Sequence, residues 1–243
     1  MNKKEMASFV LVWCLLISIT NVFAGNKEHP DDTHYTDVGF FDVHVCNWPD
    51  RPPFYMVLYS TYQFDDVQSV EMTDVKGNKF AVMDLSKFRI IKNKNKPEKR
   101  VFINQIVQPE IFEDGWFSAK ITMKNGTEYM ARDFVEHGML PIASDRFPVH
   151  QSVISDPPEK LRWSAIKGAS YYQVFIKDKW DEEELIFSSG ILKKPEIKLP
   201  DGLLEYGGYY SWRVHARDVN EDIKLGDFNQ GSLSSWQEFS ISN

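Results

Sequence analysis

The stretch GGYYSWRVHARD, residues 207–218, alternates bulky and polar side chains with a period of two residues. In an extended chain Tyr210, Trp212 and Val214 would lie on one face, whereas Arg213 would lie on the other. The two glycines that precede the alternation permit a sharp bend of the backbone. The stretch therefore predicts a half-buried antiparallel strand that begins at a turn.

Shorter alternating segments surround this strand and are separated by turn residues. Strands of this kind, with turn signals about every 8–12 residues, are typical of a β-sandwich. The segments place the following apolar residues on their inward faces: Leu161 and Trp163; Tyr172, Val174 and Ile176; Ile197 and Leu199; and Trp236, Phe239 and Ile241, the last three with a bulge among them.

Residues 156–243 resemble a fibronectin type III module. The resemblance rests on Pro157-Pro158 at the start and on Leu161-x-Trp163 in the second strand. The segments GASYYQVFI, YYSWRVHA and SSWQEFSI resemble the third, sixth and last strands of that family. Several motifs therefore occur in the expected order along about 88 residues.

The resemblance implies structural roles for several aromatic residues. Tyr210 would form a tyrosine corner, in which its hydroxyl bonds to nearby backbone and Leu203 or Leu204 packs beneath the ring. Trp163 and Trp212 would be core residues. The resemblance implies a fold and no chemistry, because functional sites are added to such folds independently.

The N-terminal half continues the β pattern but resembles no family. Residues 38–45, VGFFDVHV, alternate, and residues 54–64, FYMVLYSTYQF, are typical of a central strand that is buried on both faces. Asn125-Gly126 is a favoured two-residue hairpin turn. We therefore expect an all-β protein of two β-sandwich domains, the first immunoglobulin-like and the second fibronectin type III-like.

The predicted organisation has five parts. Prolines near the boundary between the two sandwiches predict a short, semi-rigid connection. The parts are a signal peptide at 1–24, a polar lead-in at 25–34, the first sandwich at 35–148, a linker at 149–155 and the second sandwich at 156–243.

The first 24 residues have the three regions of an export signal. Lys3 and Lys4 precede an apolar run, and Val22-Phe23-Ala24 places small residues at the positions that a signal peptidase inspects. A membrane anchor is the alternative, but the run ends short of the about 20 apolar residues that a span needs. We therefore expect a secreted or periplasmic protein with no membrane span after cleavage.

Charge and cysteine content narrow the classes of partner. The net charge is −7, and removal of residues 1–24, which contain Lys3, Lys4 and Glu5, makes it −8. An acidic chain offers no electrostatic footprint for nucleic acid. Cys46 alone survives cleavage, so an intramolecular disulfide is excluded. Burial, pairing between chains and a nucleophilic role are open for this thiol, with burial favoured.

The sequence contains none of the compact catalytic motifs, such as Gly-x-Ser-x-Gly, His-Glu-x-x-His, a phosphate-binding glycine loop or Cys-x-x-Cys. His44 and Cys46 would share one strand face, with His34 as a further ligand, but a structural metal site needs about four. The segment 218–229 has calcium-type oxygens, yet Ile223 stands where calcium loops have glycine. We expect no metal, no cofactor and no enzymatic activity.

Three tryptophans lie in polar, turn-like settings and are the candidate ligand-binding residues, namely Trp48, Trp116 and Trp180. Exposed aromatic rings bind sugars or protein partners. Each could instead fold back over its own module. The leading interpretation is a non-enzymatic binding or scaffold protein that contacts proteins or surfaces. The alternatives are a carbohydrate-binding protein and an extracellular enzyme or its accessory module.

Cleavage of the signal peptide gives the first prediction. We expect the native exported protein to begin at Gly25, because Ala24 ends the recognised small-residue motif. Intact-mass measurement of protein from its natural source checks this, and a mass that includes residues 1–24 contradicts it.

Overall fold

A computed structural model describes residues 32–92, 94–107, 113–136, 138–219 and 228–243. Across these ranges the chain forms strands, turns and irregular segments, and none of the described residues is in an α-helix. Accordingly, this part of the chain offers no helix with the length and apolarity of a membrane span. The predicted signal peptide, residues 1–24, and most of the predicted 218–229 loop lie outside the described residues.

In its described residues the N-terminal module forms nine strands in two facing sheets. One sheet has the order β2-β3-β7-β6, with β1 paired to β2, and the other has the order β5-β4-β8-β9. Side chains from both sheets, including Val57, Tyr59 and Phe117, form one buried core. The strands are β1 (Tyr35–Thr36), β2 (Gly39–Asn47), β3 (Phe54–Thr61), β4 (Val67–Thr73), β5 (Lys79–Val82), β6 (Phe88–Ile91), β7 (Lys99–Val107), β8 (Gly115–Met123) and β9 (Glu128–Val135).

The other eight strands that the structure describes belong to the C-terminal module. Central strand β15 pairs with β12, β16 and β17, while β13 extends this sheet beside β12 and β10 extends it beside β17. Strands β11 and β14 form the facing sheet. The strands are β10 (Ser152–Ile154), β11 (Lys160–Arg162), β12 (Tyr171–Asp178), β13 (Leu185–Ser188), β14 (Glu196–Lys198), β15 (Tyr209–Arg217), β16 (Gln230–Leu233) and β17 (Gln237–Ile241). The predicted all-β, two-sandwich fold class is confirmed.

The stretch that begins β15 has the geometry of a tyrosine corner. Tyr210 is buried, and its hydroxyl accepts a hydrogen bond of 3.0 Å from the backbone N–H of Glu205. Gly207 has a φ of 75°, a conformation that residues with a Cβ avoid. A Cβ on Gly208 would overlap the Tyr210 ring. The two glycines therefore serve different needs, one the turn and the other the packing of the tyrosine.

Two features differ from the sequence expectation. Strand β10 falls inside the predicted linker, residues 149–155, and pairs in parallel with β17. Leu140 and Ala143, which were predicted to belong to the first sandwich at 35–148, also pack into the C-terminal core. Trp236, expected on an inward face, instead lies on the outer face of the sheet, where Arg213 stacks over its ring at 4.3 Å.

One strand joins the two modules into a continuous sheet. Strand β16 pairs antiparallel with β15 and parallel with β2, which belongs to the N-terminal module. The rings of Phe228 and His44 stack across this junction with centroids 3.7 Å apart. Burial and the nearby Arg217 lower the pKa of His215 to about 3, so its imidazole is neutral at pH 7. The junction is therefore a packed interface and not a flexible tether.

The tyrosine corner gives a stability prediction. Tyr210→Phe removes one buried hydrogen-bond partner and should lower the free energy of unfolding by about 1–2 kcal/mol. Trp212→Ala opens a cavity in the core and should cost roughly 3–5 kcal/mol. Tyr206→Phe, at an exposed ring, is the control and should change little. Denaturant unfolding that found both core variants as stable as the parent would contradict the assignment.

The junction gives a second stability prediction. A Cβ at Gly231 would stand 2.5 Å from the Phe228 ring and 3.1 Å from His215 Nε2. Gly231→Ala should therefore displace Phe228 and cost roughly 1–3 kcal/mol. Gly190→Ala is the matched control, because a Cβ there meets no atom within 4 Å. Chemical unfolding measures the stability of each variant, and small-angle scattering measures its overall dimensions. Equal stability and equal dimensions of the two variants would show that the junction is loosely packed.

Candidate functional site

The most exposed of the predicted binding residues is Trp180, in the turn between β12 and β13. Its side chain is 72% exposed. Its backbone N–H donates to Asp178 Oδ1 at 2.8 Å, and its Nε1 donates to the carbonyl of Gly207 at 3.3 Å. The ring centroid lies 5.6 Å from that of Tyr209, at an interplanar angle of 60°. The indole is thus both exposed and fixed in orientation.

Charged side chains beside Trp180 are paired with one another. Lys179 Nζ contacts Glu183 and lies 3.2 Å from Glu238 Oε1. Hydrogen bonds to Glu183 and Glu238 raise the pKa of Lys179, and hydrogen bonds from Tyr209 and Lys179 lower the pKa of Glu238. Lys179, Glu183 and Glu238 therefore pair with one another as ionised groups beside the exposed ring.

Tyr206 adds a second exposed aromatic next to Gly207. It is 59% exposed, and its hydroxyl donates to Asp156 Oδ1 at 3.0 Å. We call the group Trp180, Tyr206 and Tyr209 the Trp180 surface. Tyr209 begins β15, whose opposite end pairs with β16, so this surface lies at the end of the C-terminal module away from the junction. The sequence predicted Trp180 but neither Tyr209, whose ring it contacts, nor Tyr206, which precedes Gly207 in the chain.

Trp116 lies on a different surface, at the start of β8. It is 43% exposed, and its ring meets that of Phe134 at 5.2 Å. The Arg132 guanidinium lies 5.1 Å from the Trp116 centroid, and the nearby Met130 is 59% exposed. We call these four residues the Trp116 face. The hairpin at Asn125-Gly126 places residues 116 and 134 opposite each other, so cross-strand alternation was the signal that could have found Phe134.

Trp48 is the least available of the three tryptophans. It is half-buried, and its ring packs edge-on against Phe54 at 5.0 Å. The Arg51 guanidinium lies over Phe54 at 3.9 Å and 5.8 Å from the Trp48 centroid. Trp48 therefore folds back over its own module, which was the alternative to ligand binding. Trp48, Trp116 and Trp180 contact different residues, so the structure gives each tryptophan its own surroundings.

Polar residues cluster beneath the outer edge of β2, in a group that sequence reasoning did not assemble. Asp42 and Asp133 are each 2% exposed, and His34 Nε2 lies 2.9 Å from Asp133 Oδ1. His44, previously considered with Cys46 as a ligand pair, instead places Nε2 2.5 Å from Asp42 Oδ2. Burial raises the pKa of the Cys46 thiol to about 12, which keeps it protonated and disfavours metal binding by sulfur.

Three solved structures show distant likeness to this chain. The FN1–FN3 domains of chicken CNTN1 are 12% identical, with 83% of this chain and 66% of that chain covered at a TM-score of 0.38. Dimeric latent PorU of Porphyromonas gingivalis is 10% identical, with 89% of this chain and 21% of that chain covered at a TM-score of 0.29. SGBP-B of Bacteroides ovatus, in complex with a mixed-linkage heptasaccharide, is 10% identical, with 81% of this chain and 42% of that chain covered at a TM-score of 0.23.

No family model and no curated protein matches the chain. The family resemblance of the C-terminal module therefore rests on its own features, above all the facing sheets and the bond from Glu205 to Tyr210. The described residues of the C-terminal module have a fibronectin type III-like fold. Likenesses at these identities and TM-scores carry no information on function, which must be argued from the residues themselves.

The exposure of Trp180 can be measured directly. Trp180→Phe should remove the largest single share of the iodide-quenchable fluorescence, because this ring is 72% exposed whereas Trp163 and Trp212 are 5% and 0% exposed. Trp116→Phe is the comparison and should remove a smaller share, since that ring is 43% exposed. If Trp180→Phe removed no quenchable signal, the ring would be covered in solution.

Proposed function

We propose that this chain is an exported, non-enzymatic binding protein whose C-terminal module recognises a protein partner through the Trp180 surface. The observation that carries the proposal is a tryptophan that is 72% exposed although its indole N–H donates to the Gly207 carbonyl and its ring contacts that of Tyr209. Tryptophan and tyrosine are the residues most enriched at the energetic centres of protein interfaces. An anchored ring also loses little conformational entropy when it binds.

The charge arrangement supports a protein partner in particular. Lys177 and Lys179 both contact Glu183, so ionic groups surround the aromatic residues in the pattern of a polar rim around an apolar centre. The packed junction at β16 supports a scaffold role, because it holds the Trp180 surface in a fixed orientation to the N-terminal module. The export signal of residues 1–24 directs this surface to extracellular or periplasmic partners.

The Trp116 face favours carbohydrate binding as a second candidate function. The rings of Trp116 and Phe134 lie on the open face of a sheet. Arg132 and Ser118, which face each other across the two strands, offer polar groups beside these rings. Sugar recognition combines an apolar ring contact with polar groups that fix orientation. The two candidates therefore use different residues on different modules and can be separated by mutation.

A paired-variant binding experiment tests the proposal. Proteins captured from a surface extract by the exported chain are purified, and their affinities are measured for the parent, Trp180→Ala and Trp116→Ala. We expect Trp180→Ala to weaken binding about 30-fold or more, as for an interface hot spot of about 2 kcal/mol, and Trp116→Ala to leave it unchanged. In parallel, each protein is titrated with a panel of polysaccharides, and binding is followed by its intrinsic tryptophan fluorescence.

The outcomes separate the candidates. Partner binding that survives Trp180→Ala overturns the leading proposal. Saturable polysaccharide binding that is lost in Trp116→Ala and retained in Trp180→Ala supports the second candidate instead. Near-ultraviolet circular dichroism of each variant verifies that the modules remain folded.

A further inference from the structure

Three side chains from separate segments converge beside β2. His34 precedes β1, Asp42 lies within β2, and Asp133 lies within β9 of the facing sheet. One potential ligand atom from each lies within 4.8 Å of the other two. Both carboxylates are almost completely buried, whereas the His34 side chain is 16% exposed. The group is therefore enclosed by the fold and open to solvent on the imidazole side.

The fold holds Asp133 at this point for an identifiable reason. Its Oδ2 accepts a hydrogen bond of 2.7 Å from the backbone N–H of Val43, an edge group that no neighbouring strand reaches. That bond leaves Oδ1 directed towards His34 Nε2, 2.9 Å away. One oxygen is thus structural, and the other remains available as a ligand atom.

Outer partners orient the remaining two groups. Asp32 Oδ1 lies 2.6 Å from His34 Nδ1, which directs Nε2 of the imidazole towards the carboxylates. His44 Nε2 lies 2.5 Å from Asp42 Oδ2 and holds that side chain in turn. Histidine ligands of metal ions characteristically donate their second ring N–H to a carboxylate. The residues around the cluster therefore form an outer shell of the kind that metal sites use.

The charges of the cluster call for a counter-ion. The side chains of Asp42 and Asp133 are 2% and 3% exposed, so bulk water does not screen either carboxylate. Buried carboxylates in proteins are neutralised by a proton, paired with a cation or bound to a metal ion. One divalent ion with neutral imidazoles would balance Asp42 and Asp133 together.

We propose that His34, Asp42 and Asp133 bind a divalent transition-metal ion, with Zn²⁺ and Mn²⁺ as the candidates. A ligand set of one imidazole and two carboxylates suits these ions better than Ca²⁺ or Mg²⁺, which prefer oxygen ligands alone. Three protein ligands leave coordination positions for water on the partly exposed His34 side. The ion would fasten the segment before β1 to both sheets of the N-terminal module.

Metal titration of the full exported chain tests this site. After treatment with a chelator and its removal, calorimetric titration with Zn²⁺ should show one ion bound per chain, and the melting temperature should rise. His34→Gln and Asp42→Asn should each weaken binding at least tenfold. His150→Gln is the matched control, because His150 is an exposed histidine of the other module. This variant should bind the ion as tightly as the parent protein does.

Mn²⁺ electron paramagnetic resonance provides a readout that does not depend on a variant folding. Nitrogen hyperfine coupling on Mn²⁺ bound to the parent protein is the expected result. The proposal is overturned if the parent binds neither ion saturably, if the variants bind as tightly as the parent, or if bound Mn²⁺ shows no nitrogen ligand. Ca²⁺ binding as tight as that of Zn²⁺ would contradict the assigned ligand chemistry.

Discussion

The outer edge of β2 is the constraint on which the arrangement of the two modules depends. Its backbone N–H groups are buried, and each would cost about 1–3 kcal/mol if left without an acceptor. Three different parts of the chain supply the acceptors, so this one edge fastens the N-terminal lead-in, the facing sheet and the C-terminal module together. The three bonds run from Phe41 N to the carbonyl of His34, from Val43 N to Asp133 Oδ2, and from Val45 N to the carbonyl of Asn229.

This shared edge explains why polar residues of β2 are buried. Alternation in VGFFDVHV predicted one apolar face and one mixed face, and Phe41 and Val43 do line the N-terminal core. The mixed face is nevertheless covered, because Asp42 and His44 meet partners that lie far away in sequence. A local pattern reports the spacing of side chains but not which distant segment will cover them. Neither the Asp133 contact nor the Phe228 ring could have been inferred from the residues around position 42.

Where local rules decide the structure, the sequence was sufficient. Gly126, at the predicted hairpin, has a φ of 85°, and Trp180, which lies in a polar, turn-like setting, is exposed. Trp236 was misplaced because Gln237 takes the inward position: its amide donates to the carbonyls of Arg146 and Pro148, and a strand has only one inward face here. A buried glutamine is a poor sequence signal, since its cost is offset by acceptors about 90 residues earlier in the chain.

Strand β15 links the proposed binding surface to the junction. Its first residue, Tyr209, packs against Trp180, and its last three residues pair with β16, which in turn pairs with β2. Nine residues in extended conformation span about 30 Å, so one stiff strand separates the two regions. A partner that contacted both the Trp180 surface and the N-terminal module would meet surfaces with a preset separation and orientation. Less free energy would then be lost in ordering the protein on binding than for two modules on a flexible tether.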